Sequence, residues 1–234
     1  VIPETSPPPL ALGGWAFRSR GVSVARVTGQ AVKVIPILHP SFILRGQWGL
    51  EPAQIHYLKI AKEVLAGTYP GIPDITCPPP GACIAPTLQD IHTFFHTERH
   101  LLTEGCAVDI ECAGKHLMCV GFCRVIDRHI LVVPFRREES HLYWTSYSTL
   151  LEVIEVLYDY FLDPSLGKVF QNGQAFDIPY LNELGFPING YVFDTMLAQH
   201  LIYPEMPKSL QFLGNLYLGM PRWKDSMDDE GEGK

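Results

Sequence analysis

The sequence predicts an α/β protein in which a mixed sheet flanked by helices fills the C-terminal part and a smaller, partial α/β unit precedes it. Three observations carry this. Runs with two-residue apolar alternation take turns with runs of helical spacing along most of the chain. A proline-rich stretch, "GIPDITCPPPGACIAP" from Gly71 to Pro86, has a composition that neither helix nor sheet interior tolerates and reads as a linker. Beyond it, "CAVDIECAG" alternates strictly, placing Asp109 and Glu111 on one face of a strand and Val108 and Ile110 on the other.

With 234 residues, 47% hydrophobic and 18% charged, the chain can build a real core in one large or two smaller domains. No stretch approaches the roughly 20 apolar residues of a membrane span, and no secretory signal pattern opens the chain, so a cytoplasmic protein without membrane partners is expected. Cys77, Cys83, Cys106, Cys112, Cys119 and Cys123 lack paired C-x-x-C spacing, which argues against zinc and disulfide frameworks and for reduced, buried thiols. Charge is distributed unevenly. Residues 1–70 carry seven Lys/Arg against three acids, a net of +4, and the total of -7 therefore leaves -11 for residues 71–234. A basic first part beside an acidic second part is compatible with nucleic acid, because acids can hold divalent cations that themselves face phosphate.

The elements follow in order. "PLALGG" and "AVKVIPIL" read as short strands, and "PAQIHYLKIAKEVLAG" as a helix with Ile55, Leu58, Ala61 and Leu65 at helical spacing, Pro52 at its start and Gly67 past its end. After the linker, "TLQDIHTFFHTERHLL" is helical through Leu88, Ile91, Phe95 and Leu102. The acidic strand comes next, then "KHLMCVGFCRV" and "HILVVPF" as a hairpin around "IDR". "TSYSTLLEVIEVLYDYFL" is an amphipathic helix with Leu150, Ile154, Leu157 and Phe161 on one face. "GKVFQNG" and "YVFDT" read as strands, "FDIPYLNELG" as a helix ended by Gly185, and "TMLAQHLIY" and "SLQFLGNLYLG" as helices. The acidic, Gly-containing tail "DSMDDEGEGK" is expected to be solvated.

Two carboxylates two residues apart stand about 7 Å from each other along a strand. They can share or pair divalent cations, and all-oxygen donors suit Mg²⁺ or Mn²⁺. An edge strand with a solvated polar face would show the same pattern. A second feature bears on the choice: in "VFQNGQAFDIPYL", Asn172 and Asp177 bracket the step from a strand end into a helix, from which Asp177 could reach the acidic strand. Asn and Asp at such a step also serve simply as caps.

"VDIE", then "NGQAFD" about sixty residues later, then "VFDTMLAQHL" and "SLQFLGNLYLG" together resemble the DEDD exonuclease superfamily. The match is to the proofreading-type 3′ to 5′ exonuclease domain of family A, polymerase I-like DNA polymerases, with ribonuclease D as a near relative. It covers about Pro86 to Met220. The resemblance implies a ribonuclease H-like sheet, with Asp109, Glu111 and Asp177 as catalytic metal ligands. Asn172 and Phe176 would be the substrate-side motif residues that orient the loop before Asp177, and Asp194 would be a structural acid at a strand end. It further implies a two-metal site of Mg²⁺ or Mn²⁺, one ion acidifying a water and the other stabilising the leaving 3′ oxygen, about 4 Å apart. The family's fourth acid sits on a late helix behind a Tyr four residues earlier or a His five earlier. Asp225, Asp228, Asp229, Glu230 and Glu232 fit neither pattern, so the chain is expected to stop before that motif.

In the basic first part, "VKVIPILHPSFILR" places His39, Pro40 and Ser41 after an apolar strand, with Arg45 soon after. A strand leading into a turn, with His39 hydrogen-bonded and partly buried, explains this much. With "LALGGWAF" upstream and the helix downstream, about Pro8 to Thr68 resembles the C-terminal half of uracil-DNA glycosylases. There His39 would donate to a flipped uracil, with Ser41 and Arg45 contacting backbone or groove. That family's water-positioning motif and stacking aromatic would lie upstream of Val1.

The expected organisation is a glycosylase-like part over residues 1–70, a linker over 71–86 and a 3′ to 5′ exonuclease domain over 87–234. The expected substrate is the single-stranded 3′ end of DNA, in proofreading or repair, in a bacterial or phage-infected cell, with a polymerase domain downstream. The alternatives are a ribonuclease D-like exoribonuclease acting on RNA and a non-catalytic nucleic-acid-binding fragment.

Overall fold

A computed structural model of the chain describes residues 23–27, 30–35, 37–70, 79, 81–138 and 141–220. The predicted strand "PLALGG", Cys77 and the acidic tail lie outside them. The chain divides into two compact units, residues 76–198 and residues 1–75 with 199–234.

In the first-part unit, β1 (Ser23–Val27) and β2 (Gln30–Val34) form an antiparallel hairpin. Only β2 was expected, and it ends at Val34 rather than running on to Leu38. A short helix α1 (Pro40–Leu44) follows, then a 3₁₀ turn (Trp48–Leu50) and α2 (Glu51–Ala66), which Gly67 ends at φ 72°. The buried stripe of α2 differs from the predicted one. Ala53, Tyr57 and Ile60 are buried, while Ile55, Leu58 and Leu65 are exposed, Leu65 at 89%. Two stripes of similar spacing run along this helix, and its partner decides between them: Tyr57 donates to Asn215 Oδ1 at 2.8 Å, and Phe212, Leu213, Leu216 and Met206 close over the same face.

Residues 76–198 hold the main sheet. Helix α3 (Leu88–His92) starts in a capping box, Thr87 and Asp90 satisfying each other's amides, and runs on as a π turn (Thr93–Thr97) and a 3₁₀ turn (Arg99–Leu102). The neighbours Phe94 and Phe95, both on the π turn, are both buried in the core. Strands β3 (Cys106–Ala113), β4 (His116–Arg124) and β5 (Ile130–Pro134) form an antiparallel meander. After it come a small hairpin of β6 (Arg136–Glu138) and β7 (His141–Leu142), absent from the sequence-based expectation, and α4 (Tyr147–Leu162). Then follow β8 (Lys168–Phe170), α5 (Asp177–Glu183), β9 (Tyr191–Asp194) and α6 (Thr195–Ile202). Helix α7 (Leu210–Leu218), capped by Ser209 and ended by Gly219 at φ 64°, belongs to the unit that contains α2.

The sheet order is β5-β4-β3-β8-β9, with β8 and β9 parallel to β3. A mixed five-stranded sheet flanked by helices agrees with the ribonuclease H-like expectation. The acidic strand is therefore central, not an edge. The edges are β5 and β9, and the one at β5 is partly covered by the expected linker: Cys83 exchanges backbone bonds with Ile130 and Val132 there.

Beneath the sheet, Phe94, Phe95, Phe122, Tyr160 and Phe161 interlock edge to face, with Phe95 and Phe122 4.9 Å apart. Two cations are buried with partners. Arg124 bonds Glu98 and Asp127 and lies 4.9 Å over the Phe94 ring. Lys168 donates to the Asp163 carbonyl at 2.6 Å beside the Tyr160 ring, and burial pulls its pKa down to about 8. All described cysteines are free; Cys106 alone is fully buried, and Cys83, Cys112, Cys119 and Cys123 are half-buried, which corrects the expectation of buried thiols.

Candidate active site

Burial along β3 alternates as the sequence predicts. Cys106, Val108 and Ile110 face the core, and Ala107, Asp109 and Glu111 are exposed on the other face. Gly121 stands opposite Asp109 on β4, so no side chain covers that carboxylate from the neighbouring strand. The register shifts between Glu111 and Cys112, a bulge that turns the strand as it leaves the acids.

On its other side β3 pairs with β8 only at Cys106 and Ala107. Beyond that point the strand's outward amides need another acceptor. Asp177 supplies it: Oδ1 accepts the Ile110 N–H at 3.2 Å, from the first residue of α5. The Asp177 side chain is thus seated between Asp109 and Glu111 in sequence register, only 5% exposed. Burial first, then the charge of Asp109 and more weakly that of Asp194, push its pKa up to about 6, against the backbone donors that lower it. Cys119, across from Glu111, is raised as well, by burial and by the charges of Glu111 and Asp109.

Asp194 holds the loop that delivers Asp177. Its carboxylate accepts the amides of Asn172, Gly173, Met196 and Leu197 and the Tyr191 hydroxyl. Burial alone would raise its pKa, but those amide donors outweigh it and keep the carboxylate below the usual range. Asn172 takes φ 61°, the left-handed region that Asn tolerates, and its side chain is exposed. The Gly173 carbonyl then accepts the Ile178 N–H at 2.8 Å at the start of α5. Phe176, half exposed, stacks loosely on Tyr180 with ring centres 5.9 Å apart. The sequence marks the step from strand to helix by Asn172 and Asp177, although the strand ends at Phe170 rather than at Gly173; the Ile110 amide as Asp177's anchor and the bulge after Glu111 have no sequence signal.

The donors available are carboxylate oxygens, the kind that Mg²⁺ and Mn²⁺ prefer. The raised Asp177 reports negative charge that a cation would relieve, so the residues fit such ions in kind. Among the described residues no three His, Cys, Asp or Glu side chains close around a common point. Asp225, Asp228, Asp229, Glu230 and Glu232 lie outside the described residues.

The glycosylase-like motif residues sit in the other unit. His39 caps α1, with Nδ1 accepting the Ser41 amide at 3.2 Å and lying 2.7 Å from the Ser41 hydroxyl, and Arg45 ends the helix with an exposed side chain. These are the contacts of a helix cap.

No family model matches the sequence, and no curated protein matches it. Among solved structures, the chain is similar to one described as the apo form of the nuclease, at 18% identity and TM-score 0.41, over 55% of this chain and 58% of that one. It is also similar to the EXD2 exonuclease domain soaked in Mn and GMP, at 16% identity and TM-score 0.37, over 60% of this chain and 71% of that one. The same domain soaked in Mg and GMP gives 15% identity and TM-score 0.35 over 64% and 81%. The chain thus spans a little over half the length of the first of these structures. No described helix is long and apolar enough to cross a membrane.

Proposed function

We propose that the chain is a divalent-metal-dependent 3′ to 5′ exonuclease of DEDD type that hydrolyses phosphodiester bonds at a single-stranded 3′ end. The observation that carries this is the meeting of Asp177 with β3: a carboxyl from a helix start is buried on the Ile110 amide, close enough to Asp109 for that charge to raise its pKa. A fold gains nothing by placing one acid against another; a site that receives cations does.

Asp109, Glu111 and Asp177 would hold the ions. Bound Mg²⁺ or Mn²⁺ supplies an acidified water and neutralises charge at the scissile phosphate. The protein's own part is positional. Asp194 fixes the turn, the turn fixes Asp177, and half-exposed Phe176 offers a face on which a terminal base can stack. The order of "VDIE", "NGQAFD" and "VFDTMLAQHL" supports DNA and the polymerase I-like proofreading or repair type as the finer assignment, and the net +4 of residues 1–70 suits a nucleic-acid partner.

End-labelled single-stranded DNA and matched RNA, incubated with the protein and Mg²⁺ or Mn²⁺, test this. Stepwise loss of 3′ nucleotides that needs metal and vanishes in Asp109→Ala supports it, and the preferred strand decides between DNA exonuclease and ribonuclease D-like activity. Absence of metal-dependent loss from either strand leaves a non-catalytic binding domain, and equal loss by Asp109→Ala overturns the site on β3.

A further inference from the structure

A second set of ligating side chains lies between α3 and α4, on elements that contribute nothing to the carboxylate site. His92 ends α3, and the π turn that follows brings His96 against it: the two Nδ1 atoms are 3.3 Å apart and the rings 5.1 Å centre to centre. From α4, Glu152 Oε1 lies 2.8 Å from His92 Nε2. An ionised carboxylate can only accept, so Nε2 carries the hydrogen. In the neutral ring this leaves His92 Nδ1 as a bare lone pair facing His96 Nδ1.

Two features match a metal seat. Nitrogens at about 2.05 Å from a tetrahedral ion stand roughly 3.3 Å from each other, which is the separation found here. A carboxylate on the far nitrogen is the usual support of a ligating histidine, since it fixes the tautomer and the ring. The cavity at this place, about 440 Å³, is lined also by Glu155 and Asp159, so its field favours cations. No third His, Cys, Asp or Glu completes the pair among the described residues, which leaves the remaining positions to water or an incoming ligand.

We propose that His92 and His96, oriented by Glu152, form an open two-nitrogen site for a divalent transition-metal ion of the zinc or nickel type. Imidazole donors select these over Mg²⁺, so the site differs in chemistry from the carboxylates of β3 and does not depend on their function. Binding would tie the π turn to α4 and raise the stability of this unit by mass action.

Titration calorimetry with Ni²⁺ on the full chain tests it, using the wild type, Asp109→Asn, His96→Ala and Glu152→Gln. With Mg²⁺ in large excess to occupy the carboxylates of β3, one Ni²⁺ should bind the wild type and Asp109→Asn alike, be lost in His96→Ala, and bind about 10- to 100-fold more weakly in Glu152→Gln. His96 is exposed, so the variant should fold, and its far-ultraviolet dichroism checks that. Paramagnetic resonance of bound Cu²⁺ gives a second readout, with coupling to two imidazole nitrogens in the wild type and to one fewer in His96→Ala. A wild type that binds no Ni²⁺, unchanged binding in His96→Ala, or a Cu²⁺ spectrum without nitrogen coupling would overturn the proposal and leave the pair as an N–H···N hydrogen bond.

Discussion

Asp194 accepts the Gly173 amide at 2.9 Å, and through that bond the last residue of one strand sets the start of the helix that carries Asp177. Replacing Asp194 by Ala leaves the Asn172 and Gly173 amides without their acceptor, Gly173 in a buried position. Hydrogen bonds to a charged group contribute about 1.5–3 kcal/mol each. Asp194→Ala should therefore lose about 3 kcal/mol or more in urea unfolding, and should lose the proposed nuclease activity as well although Asp194 is not placed as a metal ligand.

The same turn tolerates no side chain at its glycine. A Cβ on Gly173 would stand 2.5 Å from Phe170 Cβ and 2.6 Å from its Cγ, and Phe170 is itself buried in the core. Overpacking of this kind costs about 1–3 kcal/mol. Gly173→Ala should lower the thermal midpoint and reduce turnover, whereas Gly114→Ala, at a turn where nothing crowds the added carbon, should show only the cost of its positive φ and leave turnover intact.

What the sequence made legible follows from local physics. Alternation in "CAVDIECAG" is enough to orient Asp109 and Glu111, because a strand's period is two whatever its neighbours are. Asn172 and Asp177 are enough to bracket the step from strand to helix, though not to show that the strand stops at Phe170. The central position of β3 was not legible, since an exposed face looks alike on an edge strand and on a middle strand whose partner is short. The buried stripe of α2 was missed for a related reason: Tyr57 finds its partner Asn215 far along the chain, and helical spacing alone cannot tell which of two stripes has a partner. The π turn at Phe94 and Phe95 escaped because it breaks the very period used to read helices.

That long-range pair gives a test of the packing of α2 on α7. The Tyr57 hydroxyl is buried, its pKa pushed up to about 12 by that burial, and it donates to Asn215 Oδ1. Tyr57→Phe should cost about 1–2 kcal/mol. In a double-mutant cycle with Asn215→Ala, the two changes should fall short of additivity by roughly 1 kcal/mol; strictly additive losses would mean the helices do not meet through this bond.

The raised Asp177 makes a prediction whose sign is fixed. Its folded pKa of about 6 lies above the ordinary carboxyl value of 3.8, so the folded state holds this proton more tightly than the unfolded chain does. The associated stability is complete below pH 3.8 and drains away as pH rises through 6. Asp177→Asn keeps an oxygen for the Ile110 amide and removes the charge. It should unfold like the wild type at pH 3.5 but be the more stable protein at pH 7.5, when both are measured without divalent metal. Asp109→Asn, which removes the neighbouring charge, should shift the Asp177 carboxyl titration downward by nuclear magnetic resonance. Mg²⁺ should do the same to the wild type if the two acids share a cation. A carboxyl that titrates identically with and without Asp109 would show that burial alone sets its pKa, and the case for a site built on the pair would fail with it.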